Sequence, residues 1–236
     1  MIHHGRDRSN RSARKRVLPL LAAALFLAGC HDGHPPSPQD LTPVKQLQAH
    51  VCGFHFYNGA MGRQVEAHHY CSHLGDEVLQ CVIYDGTGKG ARLIGVEYII
   101  SERLFKTLNE EERKLWHSHS YEVKGGLLTA PLLPPSAEKG LMKTLVSTYG
   151  KTFHTWQVDR GDALPLGVPQ LMMGFTAPGQ IRPELLQKRD AKYGVSTEEI
   201  IRDRADIPTP QKAPGADAWE RGQTLQLQAV ETKPGQ

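Results

Sequence analysis

Three alternating runs separated by two turn-forming segments constrain this chain more than anything else in it. Val65–His73 and Val78–Tyr84 flank Leu74-Gly75-Asp76, and Asp85-Gly86-Thr87-Gly88-Lys89-Gly90 joins the second run to Arg92–Ile100. Successive side chains of a strand point to opposite faces, so a period of two with glycine at the turns predicts antiparallel hairpins. The glycines of residues 86–90 do not read as a phosphate cradle, because β-branched residues rather than a helix start follow them. Ser101 and the Asn109/Glu112 pair predict helix N-caps. Ser136–Tyr149 reads as a helix stopped by Gly150, and Pro183 to Tyr193 as another stopped by Gly194. Ser196-Thr197-Glu198-Glu199 opens a last helix, and further strands are predicted at His117–Val123, Lys151–Val158 and Gln170–Phe175. Hairpins with helices set apart from them predict an α+β fold: one domain with a mainly antiparallel sheet and segregated helices.

The ends of the chain read differently from its middle. A basic segment with Arg11, Arg14, Lys15 and Arg16 precedes an apolar run from Val17 to Ala28. That run is shorter than the roughly 20 residues a membrane-spanning helix needs, and it reads as a secretory signal over residues 1–29. Leu27-Ala28-Gly29-Cys30 resembles the lipobox of bacterial lipoproteins, which implies that Cys30 is lipidated and begins the mature chain. His31 rather than Asp follows it, which by the same resemblance favours the periplasmic face of the outer membrane over the inner membrane. Residues 30–45 read as a proline-rich tether, residues 46–206 as the domain, and residues 207–236 as a largely disordered tail that Trp219, Leu225 and Leu227 can pin. The formal charge is +3, but residues 1–29 carry +5, which leaves the remainder near −2. Without a clustered basic face, nucleic acid is not an expected partner.

Histidine is the residue that suggests chemistry. In Glu66-Ala67-His68-His69-Tyr70-Cys71-Ser72-His73, alternation places His69, Cys71 and His73 on one face and Glu66, His68 and Tyr70 on the other. In Trp116-His117-Ser118-His119-Ser120-Tyr121-Glu122, His117 and His119 share a face, and Glu122 joins them only where the strand bends. His154 stands between aromatic residues. Imidazole, thiolate and carboxylate groups suit zinc or another transition metal. The candidate ligands are therefore His69, Cys71, His73, His117, His119 and Glu122, with Glu66, His68 and His154 as further candidates. The HxH-plus-Glu pattern resembles cupin metal sites, but the spacing of the glutamate, the glycines and the second histidine motif does not fit. Ordinary hydrogen-bonded sheet histidines are the bland alternative. An odd number of cysteines after Cys30 allows at most one internal bridge.

A family resemblance covers most of the domain. His55-Phe56-Tyr57, the segment Arg63 to Leu74, Gln80–Asp85, Ala91–Ile99, Leu115-Trp116-His117-Ser118-His119, Glu122-Val123-Lys124-Gly125-Gly126 and Tyr149–Asp159 resemble the oil body-associated proteins. The resemblance implies association with lipid and supplies no catalytic set. It also implies that Cys52, Cys71 and Cys81 remain thiols, as in relatives of a reducing compartment. The leading expectation is therefore a non-enzymatic, membrane-tethered lipoprotein of the cell envelope that contacts lipid or an envelope protein. The alternative is a metal-binding protein or metal-dependent enzyme built on the His/Cys cluster.

Overall fold

The computed structural model describes residues 39–233, so the signal segment, Cys30 and most of the tether lie outside the described residues. The strands are β1 (Ala49–Tyr57), β2 (Ala60–His73), β3 (Val78–Tyr84), β4 (Leu93–Ile100), β5 (His117–Ser118), β6 (Tyr149–His154) and β7 (Gln170–Met173). The helices are short: α1 (Thr42–Lys45), α2 (Glu102–Phe105), α3 (Glu110–Arg113), α4 (Ser120–Lys124), α5 (Pro135–Leu145), α6 (Pro183–Tyr193) and α7 (Thr197–Asp203). None of them is long and apolar enough to cross a membrane. The expected caps form: the side chains of Ser101, Asn109 and Ser196 accept hydrogen bonds from the backbones of Leu104, Glu112 and Glu199.

The strands run in the order β4-β3-β2-β1-β7-β6-β5, and β4 also pairs with β6. Six antiparallel strands therefore close into a barrel, with β5 attached to β6 beside β7. This corrects the α+β expectation of an open sheet with segregated helices. Hairpin turns announce neighbours in sequence, whereas closure comes from the pairing of Gly95 with His154 through Ile100 with Tyr149, which no local signal marks. Gly95 permits it, since a Cβ there would overlap the carbonyl oxygen of Phe153 and lie 2.9 Å from His154 Cδ2. The second correction is β1. It pairs with β2 along its length and carries no strand in the sequence reading, because both of its faces are buried and alternation is lost.

Inside the barrel, two apolar layers flank a polar one. Val51, Cys71, Cys81 and Ile99 meet the inner face of α5 at one end. Tyr57, Val65, Ala67, Ile83, Ile94 and Met172 fill the other. Outside, Phe54, Phe56, Leu171, Met173 and Phe175 form another core with partly buried Leu185, Leu186 and Trp219. Cys71 and Cys81 face each other across β2 and β3 and form a disulfide, correcting the expectation of three thiols; Cys52 is free and buried. Within residues 207–236, expected to be largely disordered, Ala213, Ala216, Asp217 and Ala218 are buried, whereas residues 221–233 are exposed. Asp217 accepts hydrogen bonds from Ser118 N and Oγ, and Gln226 bonds the backbone of Asn58 and Leu171.

Closure through Gly95 predicts that Gly95→Val lowers stability by about 1–3 kcal/mol or more, the usual range for overpacking. Gly88, with nothing within 4 Å of its added Cβ, serves as control: Gly88→Ala changes stability by no more than about 0.5 kcal/mol. Urea unfolding of both variants checks this, and equal midpoints would remove Gly95 as the closing residue.

Candidate metal centre

The polar layer is built by alternation. β1 turns His55 inward, β2 His69, β4 Glu97 and β6 His154, while β5 supplies His117. The expected strand His117–Val123 stops after Ser118, and α4 begins at Ser120. That change of course brings Glu122 to the place His117 and His119 share, whereas an unbroken strand would turn it to the opposite face. All these groups are buried.

Glu97 is the hub. Its Oε2 lies 2.7 Å from His69 Nε2 and 3.7 Å from His55 Nε2, and its Oε1 lies 3.1 Å from His119 Nε2 and 3.5 Å from His117 Nε2. His117 Nε2 is also 3.9 Å from Glu122 Oε2. Nearby, His55 Nδ1 and His154 Nε2 share a hydrogen bond of 3.2 Å. Burial pushes the Glu97 carboxyl up, but His69, His119 and His117 outweigh it and hold it well below the usual carboxylate range. Burial, with Glu97 and Asp217 adding to it, pushes Glu122 well above that range. Burial drives His117 down to about 3 against the pull of Glu97.

Outer hydrogen bonds place a proton on Nδ1 of His119 and of His69. Thr148 Oγ1 donates its one hydrogen to Leu145 O, so it accepts from His119 Nδ1 at 2.8 Å. The Val51 carbonyl can only accept, so His69 Nδ1 donates to it at 3.3 Å. Nε2 of each ring faces the Glu97 carboxylate, 3.1 Å away for His119 and 2.7 Å for His69: a second proton on the ring makes it a donor that holds the carboxyl down, and the neutral ring presents a lone pair instead. His69 Nε2, for all its closeness, makes no aligned hydrogen bond, and neither nitrogen of the fully buried His117 has a partner. Buried polar atoms are nearly always satisfied, so such a group calls for an explanation. Glycine makes the room: a Cβ at Gly150 would overlap Glu97 Oε1 and lie 2.8 Å from Nε2 of both His117 and His119, and one at Gly174 would lie 2.5 Å from Glu122 Oε2.

Of the residues singled out by sequence, His69, His117, His119 and Glu122 converge here, and His154 stands at the edge through His55. Cys71 does not contribute, since its sulfur is bonded to Cys81, and His73 is exposed at the end of β2. Glu66 and His68 point out of the barrel into a separate cluster with Cys52. Sequence reasoning missed Glu97 and His55. The signal for Glu97 was present: it is the one acid in the apolar run Leu93–Ile100, in phase with Gly95 and Ile99.

These features define a closed-barrel protein with a buried histidine/carboxylate cluster. Residues 41–208 match the family described as a protein of unknown function (DUF1264). The chain is 49% identical over 195 residues to oil body-associated protein 1A of Zea mays, covering 82% of each chain. It is 48% identical over 198 residues to oil body-associated protein 1B of Arabidopsis thaliana, covering 83% of this chain and 82% of the relative. The chain belongs to the oil body-associated protein family. No solved structure matches it. The family match begins C-terminal to Cys30 and these relatives are plant proteins, so the match speaks for the domain and not for a lipid anchor.

Burial drives His154 down to about 3, whereas an unfolded-chain histidine titrates near about 6.5. Between those values the unfolded state binds the extra proton, so stability falls as pH drops through that window. Urea midpoints measured with chelator present should decline from about pH 7 to about pH 5, and His154→Gln should flatten the decline. An unchanged slope in the variant would show that His154 takes up its proton equally in both states.

Proposed function

We propose that this protein binds one divalent first-row transition-metal ion inside its barrel, on His69, His117, His119 and Glu97. The observation that carries the reading is Nε2 of His69 and of His119 turned on a buried carboxylate while each Nδ1–H is committed outward, so that the neutral rings present lone pairs to it. A cation among them turns repulsion into coordination. A second proton on each ring would satisfy the same contacts, at the expense of two buried imidazolium charges. The spacing also suits an ion. Ligands each about 2.1 Å from a metal lie roughly 3–3.5 Å apart, and the Glu97 oxygens lie 2.7, 3.1 and 3.5 Å from the three imidazole nitrogens. Ligating histidines commonly donate their other ring N–H to a carbonyl or hydroxyl, as His69 and His119 do here. Imidazole and carboxylate without thiolate favour iron, manganese, zinc or nickel over metals that seek soft ligands.

A bound ion supplies Lewis acidity or redox capacity. The chain's own residues supply the setting. The barrel wall excludes water, Glu122 sets its Oε2 3.9 Å from His117 Nε2, and the His55–His154 pair supports the Glu97 side. Elemental analysis of protein purified without a tag or chelator should find close to one metal per chain. His69→Ala and Glu97→Gln should each abolish it and lower Tm toward that of the chelated protein. Metal-free protein whose Tm is indifferent to added zinc, iron, manganese or nickel would sink the proposal.

A second reading concerns location, and Leu27-Ala28-Gly29-Cys30 carries it. Acylation at Cys30 would tether the domain to the cell envelope, at the periplasmic face of the outer membrane, beside lipid or an envelope protein. Relatives named for oil bodies share with this reading only the nearness of a lipid surface. Cys30→Ala should move the protein from the membrane fraction to the soluble one. Retention in the membrane fraction would rule the anchor out.

A further inference from the structure

Resting on the metal reading above, we propose that the centre takes a small uncharged diatomic molecule as ligand, admitted through a narrow apolar cavity beneath α5. The cavity measures about 20 Å³ and lies inside the barrel. Its inner end is the polar layer, where Glu97, His69 and His119 face it. The rest of its lining is largely apolar and includes buried Cys71, Ile99, Leu128 and Leu145 and partly buried Ala49, Leu79 and Leu141.

Volume and lining together choose the ligand class. A space of about one probe sphere holds a single water-sized molecule, whereas organic substrates occupy pockets of roughly 300–1,000 Å³. An apolar passage offers water no partners, and cavities of that kind stay dry and admit apolar gases. An anion entering it would lose its hydration without compensation and would meet the Glu97 carboxylate at the far end. What remains is a molecule of two heavy atoms with no net charge, such as dioxygen or nitric oxide. Leu141, on α5, and Leu79, on β3, are the large side chains of the lining that reach the surface, so a route from solvent passes them and their size sets the rate of entry.

The test uses the full chain reconstituted anaerobically with Fe(II), with nitric oxide as probe and azide as a charged comparison of similar width. Nitric oxide should produce a new iron–nitrosyl EPR signal at one equivalent. Azide should leave the spectrum of the ferric protein unchanged. Leu141→Ala should speed nitric oxide binding, and Leu141→Trp should slow it by roughly tenfold, a barrier change of about 1.4 kcal/mol, with iron content unchanged in both. Should the tryptophan variant fail to fold, Leu79→Phe makes the same test at the other large, partly buried lining residue. Iron-loaded protein that gives no nitrosyl signal, binds azide as readily, or binds nitric oxide at the same rate in every variant would overturn the cavity proposal and leave the metal reading standing. Protein that takes up no iron or other metal overturns both.

Discussion

A carboxylate sealed inside a barrel is the constraint on which the rest of this structure depends. Glu97 is 2% exposed and has no water to turn to. An unpaired buried charge destabilises a protein by about 3–5 kcal/mol, so the interior must answer it. Four imidazoles do, each within 3.7 Å of a Glu97 oxygen, drawn from β1, β2, β5 and the start of α4. In their neutral forms the rings leave that answer incomplete. Two of those rings have their protons committed outward, to Val51 O and Thr148 Oγ1, and a third has no hydrogen-bond partner at all. The hydrogen bonds that orient the rings are the reason the cluster cannot satisfy itself.

Backbone choices follow from that need. The barrel interior must narrow enough to bring six polar side chains together, yet leave space between them. Gly150 and Gly174 surrender their Cβ atoms to the site, and Gly95 surrenders its own to barrel closure. The two-residue β5 serves the same end. A strand continuing from His117 would have carried Glu122 to the opposite face, whereas the turn into α4 returns it to the centre. Apolar layers above and below then isolate the site from solvent at both ends of the barrel.

Much of this was legible as local pattern. Period-two alternation separated His69 from His68 and paired His117 with His119, and the helix caps stood where serine and asparagine placed them. What alternation cannot supply is partnership across the barrel. Closure depends on β4 meeting β6, and nothing near Gly95 or His154 announces the other. His55 was hidden because β1 is buried on both faces, so inward and outward residues look alike. Glu97 was hidden because a lone acid in a strand commonly faces solvent, and only closure turns it inward. The Cys71–Cys81 bridge is likewise a fact of register, visible once β2 and β3 are aligned.

The outer histidine cluster shows by contrast why the inner one points to a metal. On the outside of β1 and β2, Glu66, His68 and Cys52 lie close enough to hold an ion. There the cation is already present: Lys192 Nζ, from α6, lies 3.2 Å from His68 Nε2 and 3.4 Å from Glu66 Oε1. Burial pushes the Glu66 carboxyl up, yet His68 and Lys192 bring it down to about 2. Burial, reinforced by Glu66, pushes the Cys52 thiol up to about 12, so no thiolate is offered there. Both clusters set carboxylate against imidazole in a buried place. One is neutralised by a lysine from a covering helix. The other lies inside the barrel, and its cavity meets no lysine or arginine among its lining residues. On the proposed reading, the cation that completes it comes from solution.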